Sequence, residues 1–201
     1  MKRLVSAFLA IVIMLCLACC TQDTQDTETG ISRGSIKGNT YTSKYTGLKF
    51  TKPDDWRFLS DKELAQAMSI SEEAISDKEF AASLEEYPSL VDMMVMDDAS
   101  GLNLTVGYEN LTVTMGGTVT EAEYMDAMTE YLQTMGNMTV DESIVVKLSG
   151  QDYLKTSCSV EIDGVLMKTD YYIRVIDTYM TVITAAYTAD VTGINIEAMF
   201  S

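Results

Sequence analysis

The chain has 201 residues and a formal net charge of −16, with 30 acidic residues against 14 basic ones and no histidine. A surface this acidic argues against nucleic acid as a partner, because binding to phosphates relies on Lys and Arg. The lack of histidine excludes Ser-His-Asp and Cys-His catalysis and histidine-ligated metal centres. The sequence therefore predicts no catalytic residues, no metal site and no cofactor.

The first 20 residues, MKRLVSAFLAIVIMLCLACC, form a distinct segment. Lys2 and Arg3 precede an uncharged apolar run, Leu4 to Leu17, that is short for a membrane span and typical of a secretory signal peptide. The end of this segment resembles a bacterial lipoprotein signal, which implies lipid attachment at Cys20, with Cys19 as the alternative. Two acyl chains anchor a protein stably. We therefore expect an extracytoplasmic protein held to a bacterial cell membrane by an N-terminal lipid.

Composition divides the rest of the chain into two parts. Residues 21–38 are polar and predict a flexible tether, and residues 39–201 predict a single domain. With 47% hydrophobic residues in the whole chain, the domain can bury a sizeable core.

Two capping boxes mark the predicted helices. Ser60 with Glu63 opens a short helix through Met68, and Thr120 with Glu123 opens a longer one that Gly136 closes. In the longer helix an apolar stripe recurs at helical spacing, and it consists of Met125, Met128, Leu132 and Met135. Two further helical segments are predicted, over 78–86 and 194–200.

The strands are predicted from β-branched and aromatic runs between turn signals. The predicted strands are 41–45, 48–51, 90–96, 102–108, 144–148, 153–162, 165–176 and 179–187. Asp163-Gly164 predicts a tight hairpin turn between two of them. Several late strands are apolar on both faces, which predicts layers on both sides of the sheet. The expected fold is α+β, a three-layer α/β/α sandwich with a mainly antiparallel central sheet.

The stretch from Gly47 to Trp56 carries a resemblance to a known family. Its pattern of Gly47, Phe50, Pro53 and Trp56 is similar to the start of PsbP-like domains. That superfamily includes the extrinsic photosystem II protein PsbP, a Ran-binding import factor and bacterial lipoproteins of unknown role. The resemblance implies the same three-layer fold over about residues 40–200. It implies no function, since members share a scaffold and differ in their partners.

Few residues in the sequence are candidates for catalysis or cation binding. Cys158 alternates with apolar residues on one strand face, so we expect it to be buried and unreactive. Doublets of acidic residues could bind a cation or act in acid–base chemistry, but neighbours on a strand point to opposite faces. These doublets are Asp54-Asp55, Glu72-Glu73, Glu85-Glu86, Asp97-Asp98 and Asp141-Glu142.

Three functions remain open at this stage. The first is a non-enzymatic, lipid-anchored domain that binds a protein or cell-envelope component. The second is a small-ligand or cation-binding lipoprotein associated with a transporter, which requires a pocket with converging carboxylates or tyrosines. Its candidate lining residues are Tyr108, Tyr124, Tyr131 and Tyr172. The third is a hydrolase that uses two facing carboxylates.

Overall fold

The computed structural model describes residues 30–134 and 136–201. The described strands are β1 (Ser35–Lys37), β2 (Thr40–Thr42), β3 (Lys49–Thr51), β4 (Arg57–Phe58), β5 (Ser89–Met96), β6 (Asn103–Asn110), β7 (Met138–Val140), β8 (Ile144–Leu148), β9 (Gln151–Ile162), β10 (Val165–Ile176) and β11 (Tyr179–Thr188). The described helices are α1 (Asp61–Met68), α2 (Phe80–Glu86), α3 (Leu111–Thr114) and α4 (Glu121–Thr134), with 3-10 turns at Glu73–Ile75 and Glu197–Met199.

The strands form two antiparallel sheets. The small sheet has the order β1-β2-β3, and the large one has the order β4-β5-β6-β11-β10-β9-β7, with β8 also paired to β9. The α+β class and the antiparallel central sheet predicted from the sequence are confirmed. Layers cover the large sheet on both sides, and one of these layers contains the small sheet in addition to helical segments.

Alternation along the strands assigns each core residue to one side of the large sheet. On β6, Leu104 and Val106 pack under the small sheet together with Phe50 and Trp56. This side, with β1–β3 and the C-terminal 3-10 turn on it, is called the small-sheet face. The opposite side carries α4 and is called the α4 face, where Tyr171 and other sheet residues contact the helix. The α4 residues buried there are Met125, Met128 and Leu132.

Local signals in the sequence correctly located several elements. Ser60 and Glu63 form the predicted capping box of α1. At α4, Thr120 and Glu123 exchange the corresponding hydrogen bonds. Asp163 and Gly164 both adopt positive φ angles, of 52° and 79°, as a two-residue hairpin turn requires.

The N-terminal boundary differs from the prediction. Residues 30–38, assigned from composition to the tether, pack onto the domain, because Ile31 is buried and Ser35–Lys37 pair with β2. Arg33 donates two hydrogen bonds to Asp61 at 2.9 and 2.5 Å. The rest of the predicted tether, residues 21–29, lies outside the described residues, and so does Met135 of the predicted α4 stripe.

The C-terminal segment also differs. In place of the helix predicted over 194–200, only Glu197–Met199 form a 3-10 turn. The Ser201 amide donates to the Lys49 carbonyl at 3.0 Å, and Phe200 forms a β-bridge with Phe50. These contacts with β3 extend the backbone at the point where a helix would have continued.

No helix in residues 30–134 and 136–201 has the length and apolar character needed to cross a bilayer. The predicted signal peptide, with Cys19 and Cys20, lies outside the described residues.

Candidate ligand cavity

A cavity of about 350 Å³ lies on the α4 face, between the sheet, α4 and the C-terminal end of α1. Its walls are mainly apolar. The sheet and α4 contribute Leu90, Val91, Met94, Thr105, Gly107, Tyr108, Glu109, Tyr171, Val182, Thr184, Tyr124 and Met128. The α1 end and the loop before β5 contribute Ala67, Met68, Ser69, Ile70, Tyr87, Pro88 and Ser89.

A β-bulge shapes the floor. The pairing of β5 with β6 shifts between Val91 and Met93, so that Asp92 has no residue opposite it. Gly107 lies beside this bulge, and a Cβ at that position would be only 2.9 Å from the Leu90 carbonyl oxygen. Glycine therefore permits the close approach of the two strands. Beyond the bulge, Met94 points to the cavity.

The C-terminal end of α1 forms one wall. Ser69 adopts a left-handed conformation with a φ of 58°, and Ile70 donates back to the Ala65 carbonyl at 3.0 Å. This reversal places Ile70 and Met68 at the cavity. The Met68 sulfur also accepts a hydrogen bond from the Val91 amide at 3.1 Å, which satisfies a backbone donor on the part of β5 that β4 does not reach.

Two polar side chains meet at the α4 wall. Glu109, on β6, is only 7% exposed and accepts a hydrogen bond from the Tyr124 hydroxyl. Tyr124 and Met128 lie one turn apart on α4 and both line the cavity. The described lining contains no Lys or Arg. The cavity thus combines an apolar body, several aromatic rings and one buried carboxyl group.

The tyrosines proposed as lining residues from the sequence divide into two groups. Tyr108 and Tyr124 line the cavity, whereas Tyr131 is 44% exposed and Tyr172 lies on the small-sheet face. Sequence reasoning missed Tyr87, Tyr171 and Glu109. An acidic residue within the apolar run of β6 was the available signal for Glu109, since a buried strand rarely carries a carboxyl group without a partner.

The small-sheet face contains a second buried carboxyl group, Asp92, whose surroundings differ from those of Glu109. Asp92 accepts hydrogen bonds from the Gly34 amide at 3.1 and 2.9 Å and from the Tyr41 hydroxyl at 2.6 Å. Tyr108 donates at 3.3 Å, and the Arg33 guanidinium lies 3.7 Å away. Burial raises the pKa of Asp92, although these donors oppose the shift. The group is enclosed by the protein and holds the N-terminal segment to the sheet.

A third cluster also lies on the small-sheet face. The Lys155 ammonium lies 2.7 Å from Glu197 and 3.4 Å from Asp170, and 5.0 Å from the centre of the Tyr172 ring. Tyr172 donates to Glu197 at 2.9 Å. Asp170 and Glu197 are thus two nearby carboxylates, but the lysine lies against both. This arrangement differs from the unpaired facing carboxylates that the hydrolase hypothesis requires.

The other sequence candidates lie outside the cavity. Within the described residues, no group of three or more Cys, Asp or Glu side chains could hold a metal ion. Among the acidic doublets, Asp98 pairs with Arg57 at 3.0 Å, and Asp97 accepts from the Ala99 amide at 2.9 Å. Cys158 is buried on the α4 face, and burial raises the pKa of its thiol to about 11.

Comparison with known proteins concerns the fold alone. No protein-family profile matches the chain, and no curated protein sequence matches it. Among solved structures, the chain is similar to cyanobacterial PsbP (CyanoP) from Synechocystis, with 14% identity, a TM-score of 0.44, and coverage of 83% of this chain and 87% of that one. It is also similar to a protein from Bacteroides thetaiotaomicron, with 13% identity, a TM-score of 0.40, and coverage of 82% of this chain and 46% of that one. The first of these structures is a PsbP protein, and the Gly47–Trp56 stretch resembles the start of PsbP-like domains.

Proposed function

We propose that this protein is a non-enzymatic binding module that holds one small, mainly apolar molecule in the cavity between α1, α4 and the large sheet. The observation that carries this proposal is the cavity of about 350 Å³ beside a buried carboxyl group. Pockets for small molecules have volumes of this order, mostly apolar walls and a few polar groups that fix orientation. The function is the second of those left open by the sequence.

The apolar walls support a ligand over an incidental gap. Without an occupant these walls face solvent, and covering apolar surface with an apolar molecule is favourable. The surrounding side chains Met68, Met94 and Met128 are flexible thioethers that can adapt to an occupant. The Glu109 and Tyr124 pair would give the occupant a defined orientation.

The N-terminal leader supplies the proposed location. Acylation at Cys20, or at Cys19, would hold the domain on the extracytoplasmic side of a bacterial membrane. A ligand bound there could be delivered to a transporter in the same membrane. The mass of the intact processed protein tests the anchor, since it distinguishes lipid on Cys20 from lipid on Cys19 and from simple signal cleavage.

The binding proposal is tested with phenylnaphthylamine, a neutral apolar dye whose fluorescence rises in apolar surroundings. We expect saturable binding to the wild-type protein and its loss in Ala67→Phe, which places a ring in the cavity from α1. Gln66→Phe is the matched control, because Gln66 is the exposed neighbour on the same helix. Equal binding by wild type and Ala67→Phe would contradict the proposal.

A second candidate function is docking of an envelope protein at β8. On this strand Ile144 is 57% exposed and Val145 68% exposed. β8 pairs with β9 on one side, and no described strand pairs with its other side. An apolar edge strand of this kind can receive an extended segment of a partner.

This second candidate predicts a crosslink from position 144 to one reproducible envelope protein in native cells. The crosslink should disappear with Val145→Lys and persist with Thr139→Lys, a matched change at an exposed position on β7. Persistence of the same crosslink in Val145→Lys would contradict docking at β8.

A further inference from the structure

We infer that the cavity selects a ligand with a positively charged nitrogen, which binds against Glu109 while the apolar part of the ligand fills the remaining volume. This inference rests on the proposed function and names its ligand class. Glu109 is 7% exposed, lines the cavity and accepts a hydrogen bond from Tyr124.

Among the described residues Glu109 has no basic partner, unlike the buried carboxyl groups of Asp92 and Asp170, which lie 3.7 Å from Arg33 and 3.4 Å from Lys155. None of the ion pairs in the described part of the chain involves Glu109. Basic residues are absent from the sequence between Lys78 and Lys147, which includes β6 and α4. A buried carboxylate without a counter-charge is costly, and the cost is reduced when a cation binds against it.

On the small-sheet face, the chain itself supplies the cation that pairs with a carboxylate. There the Lys155 ammonium lies 2.7 Å from Glu197 and 5.0 Å from the centre of the Tyr172 ring. A carboxylate and a tyrosine ring together contact one ammonium group. In the cavity the carboxylate and the tyrosines are present, the lysine is not, and a space of about 350 Å³ adjoins them.

The aromatic lining suits a cation of this kind. Tyr87, Tyr124 and Tyr171 line the cavity, and an ammonium group is attracted to the face of an aromatic ring. The net charge of −16 also favours the approach of a cation and opposes that of an anion. The expected ligand class is therefore an amine or quaternary ammonium compound with an apolar body.

The test compares three probes that share one apolar body and differ in their polar end. Phenylbutylamine is cationic, phenylbutanol neutral and phenylbutyrate anionic. We expect the amine to bind the wild-type protein about tenfold more tightly than the alcohol, as a charge-assisted hydrogen bond to a buried group allows. The carboxylate should bind more weakly than the alcohol. Dissociation constants are measured by NMR titration at one fixed ionic strength.

Glu109→Gln should abolish the preference for the amine, because the glutamine oxygen can still accept from Tyr124 but carries no charge. The amide NMR spectrum of the variant, compared with that of the wild type, shows that it is folded. Glu130→Gln is the matched control, because it removes the same charge from an exposed position on α4 and should keep the preference.

The possible outcomes distinguish the inference of a cationic ligand from the proposed binding function. Equal binding of amine and alcohol to the wild-type protein, with both lost in Ala67→Phe, overturns the inference and leaves the binding module intact. A preference for the amine that survives in Glu109→Gln also overturns the inference. If none of the three probes binds in a manner sensitive to Ala67→Phe, the proposed function fails together with the inference.

Discussion

Asp92 and Glu109 are buried carboxyl groups on opposite faces of the large sheet, and their surroundings differ. On the small-sheet face, Asp92 is enclosed by donors from Gly34, Tyr41 and Tyr108, with Arg33 nearby. On the α4 face, Glu109 accepts from Tyr124 at the wall of a cavity. A buried charge with a complete set of partners joins segments of the fold, whereas one beside an open space is available to a ligand.

The largest expected difference between the faces comes from removal of these two groups. Asp92→Ala should lower the free energy of unfolding by about 3–5 kcal/mol, because it leaves several buried donors without an acceptor. Glu109→Ala should cost far less, since solvent in the cavity can reach the Tyr124 hydroxyl. Urea denaturation measures both values, and equal losses would contradict the comparison.

Two adjacent methionines on β5 test the same difference between the two faces of the sheet. Met93 is buried in the core of the small-sheet face, and Met94 lines the cavity. Met93→Ala should cost about 3 kcal/mol, because it creates a new void in a packed core. Met94→Ala should cost about half as much, because it enlarges a space that already exists. The measurement is urea denaturation, and a larger loss for Met94→Ala would show that the α4 face is the more tightly packed one.

Removal of single hydroxyl groups gives a smaller version of the test. Tyr41→Phe should cost about 1–2 kcal/mol, since Asp92 loses a buried donor at 2.6 Å. Tyr124→Phe should cost less than about 0.5 kcal/mol, because water can replace its hydroxyl at Glu109. Thermal unfolding of the two variants measures the difference, which would vanish if the cavity were inaccessible to water.

The pH dependence of stability should report on the small-sheet face. Burial raises the pKa of Glu197, but hydrogen bonds, the strongest from Lys155, outweigh it and hold the pKa below its ordinary value. Because the pKa of Glu197 is lower in the folded than in the unfolded protein, ionised Glu197 stabilises the fold at pH values above its unfolded-state pKa. This contribution to stability is lost as the pH falls through the folded-state pKa.

Glu197→Gln removes this contribution. The stability difference between wild type and Glu197→Gln should be less than about 1 kcal/mol near pH 6 and should shrink toward pH 3. Urea titrations at a series of pH values measure it. A stability difference that grows as the pH falls would mean that folding raises the pKa of Glu197 instead of lowering it.

The smallest expected effect concerns Cys158, which lies on the α4 face but not in the cavity lining. Its burial raises the pKa of the thiol to about 11, so very little thiolate is present at pH 8. Iodoacetamide should leave Cys158 unmodified in the native protein and modify it in urea, as followed by mass spectrometry of its peptide. Rapid native labelling would show that the opening on this face extends beyond the cavity.

Local sequence patterns were sufficient to locate the structural features that depend only on a residue and its immediate neighbours. The capping boxes at Ser60 and Thr120 and the Asp163-Gly164 turn were located from the sequence, because each depends on hydrogen bonds or φ angles within a few residues. The predicted β8 and β10 have the boundaries found in the structure, over 144–148 and 165–176.

Predictions failed where distant segments compete for the backbone. The segment 194–200 has helical composition, but its contacts with β3 reduce it to a single 3-10 turn. Residues 30–38 have the composition of a tether, yet Asp92 and Asp61 hold Gly34 and Arg33 in place. In both segments the decisive partner is remote in sequence, so no local pattern could reveal it.

The sequence by itself determined the class of fold and the positions of most strands and helices, because these depend on composition, periodicity and short-range hydrogen bonding. Only the tertiary structure decided which buried carboxyl group adjoins a cavity. The bulge between Val91 and Met93 and the separation of α1 from α4 create the cavity beside Glu109. A cavity is the space left between packed elements, and its size depends on how they pack rather than on any one segment.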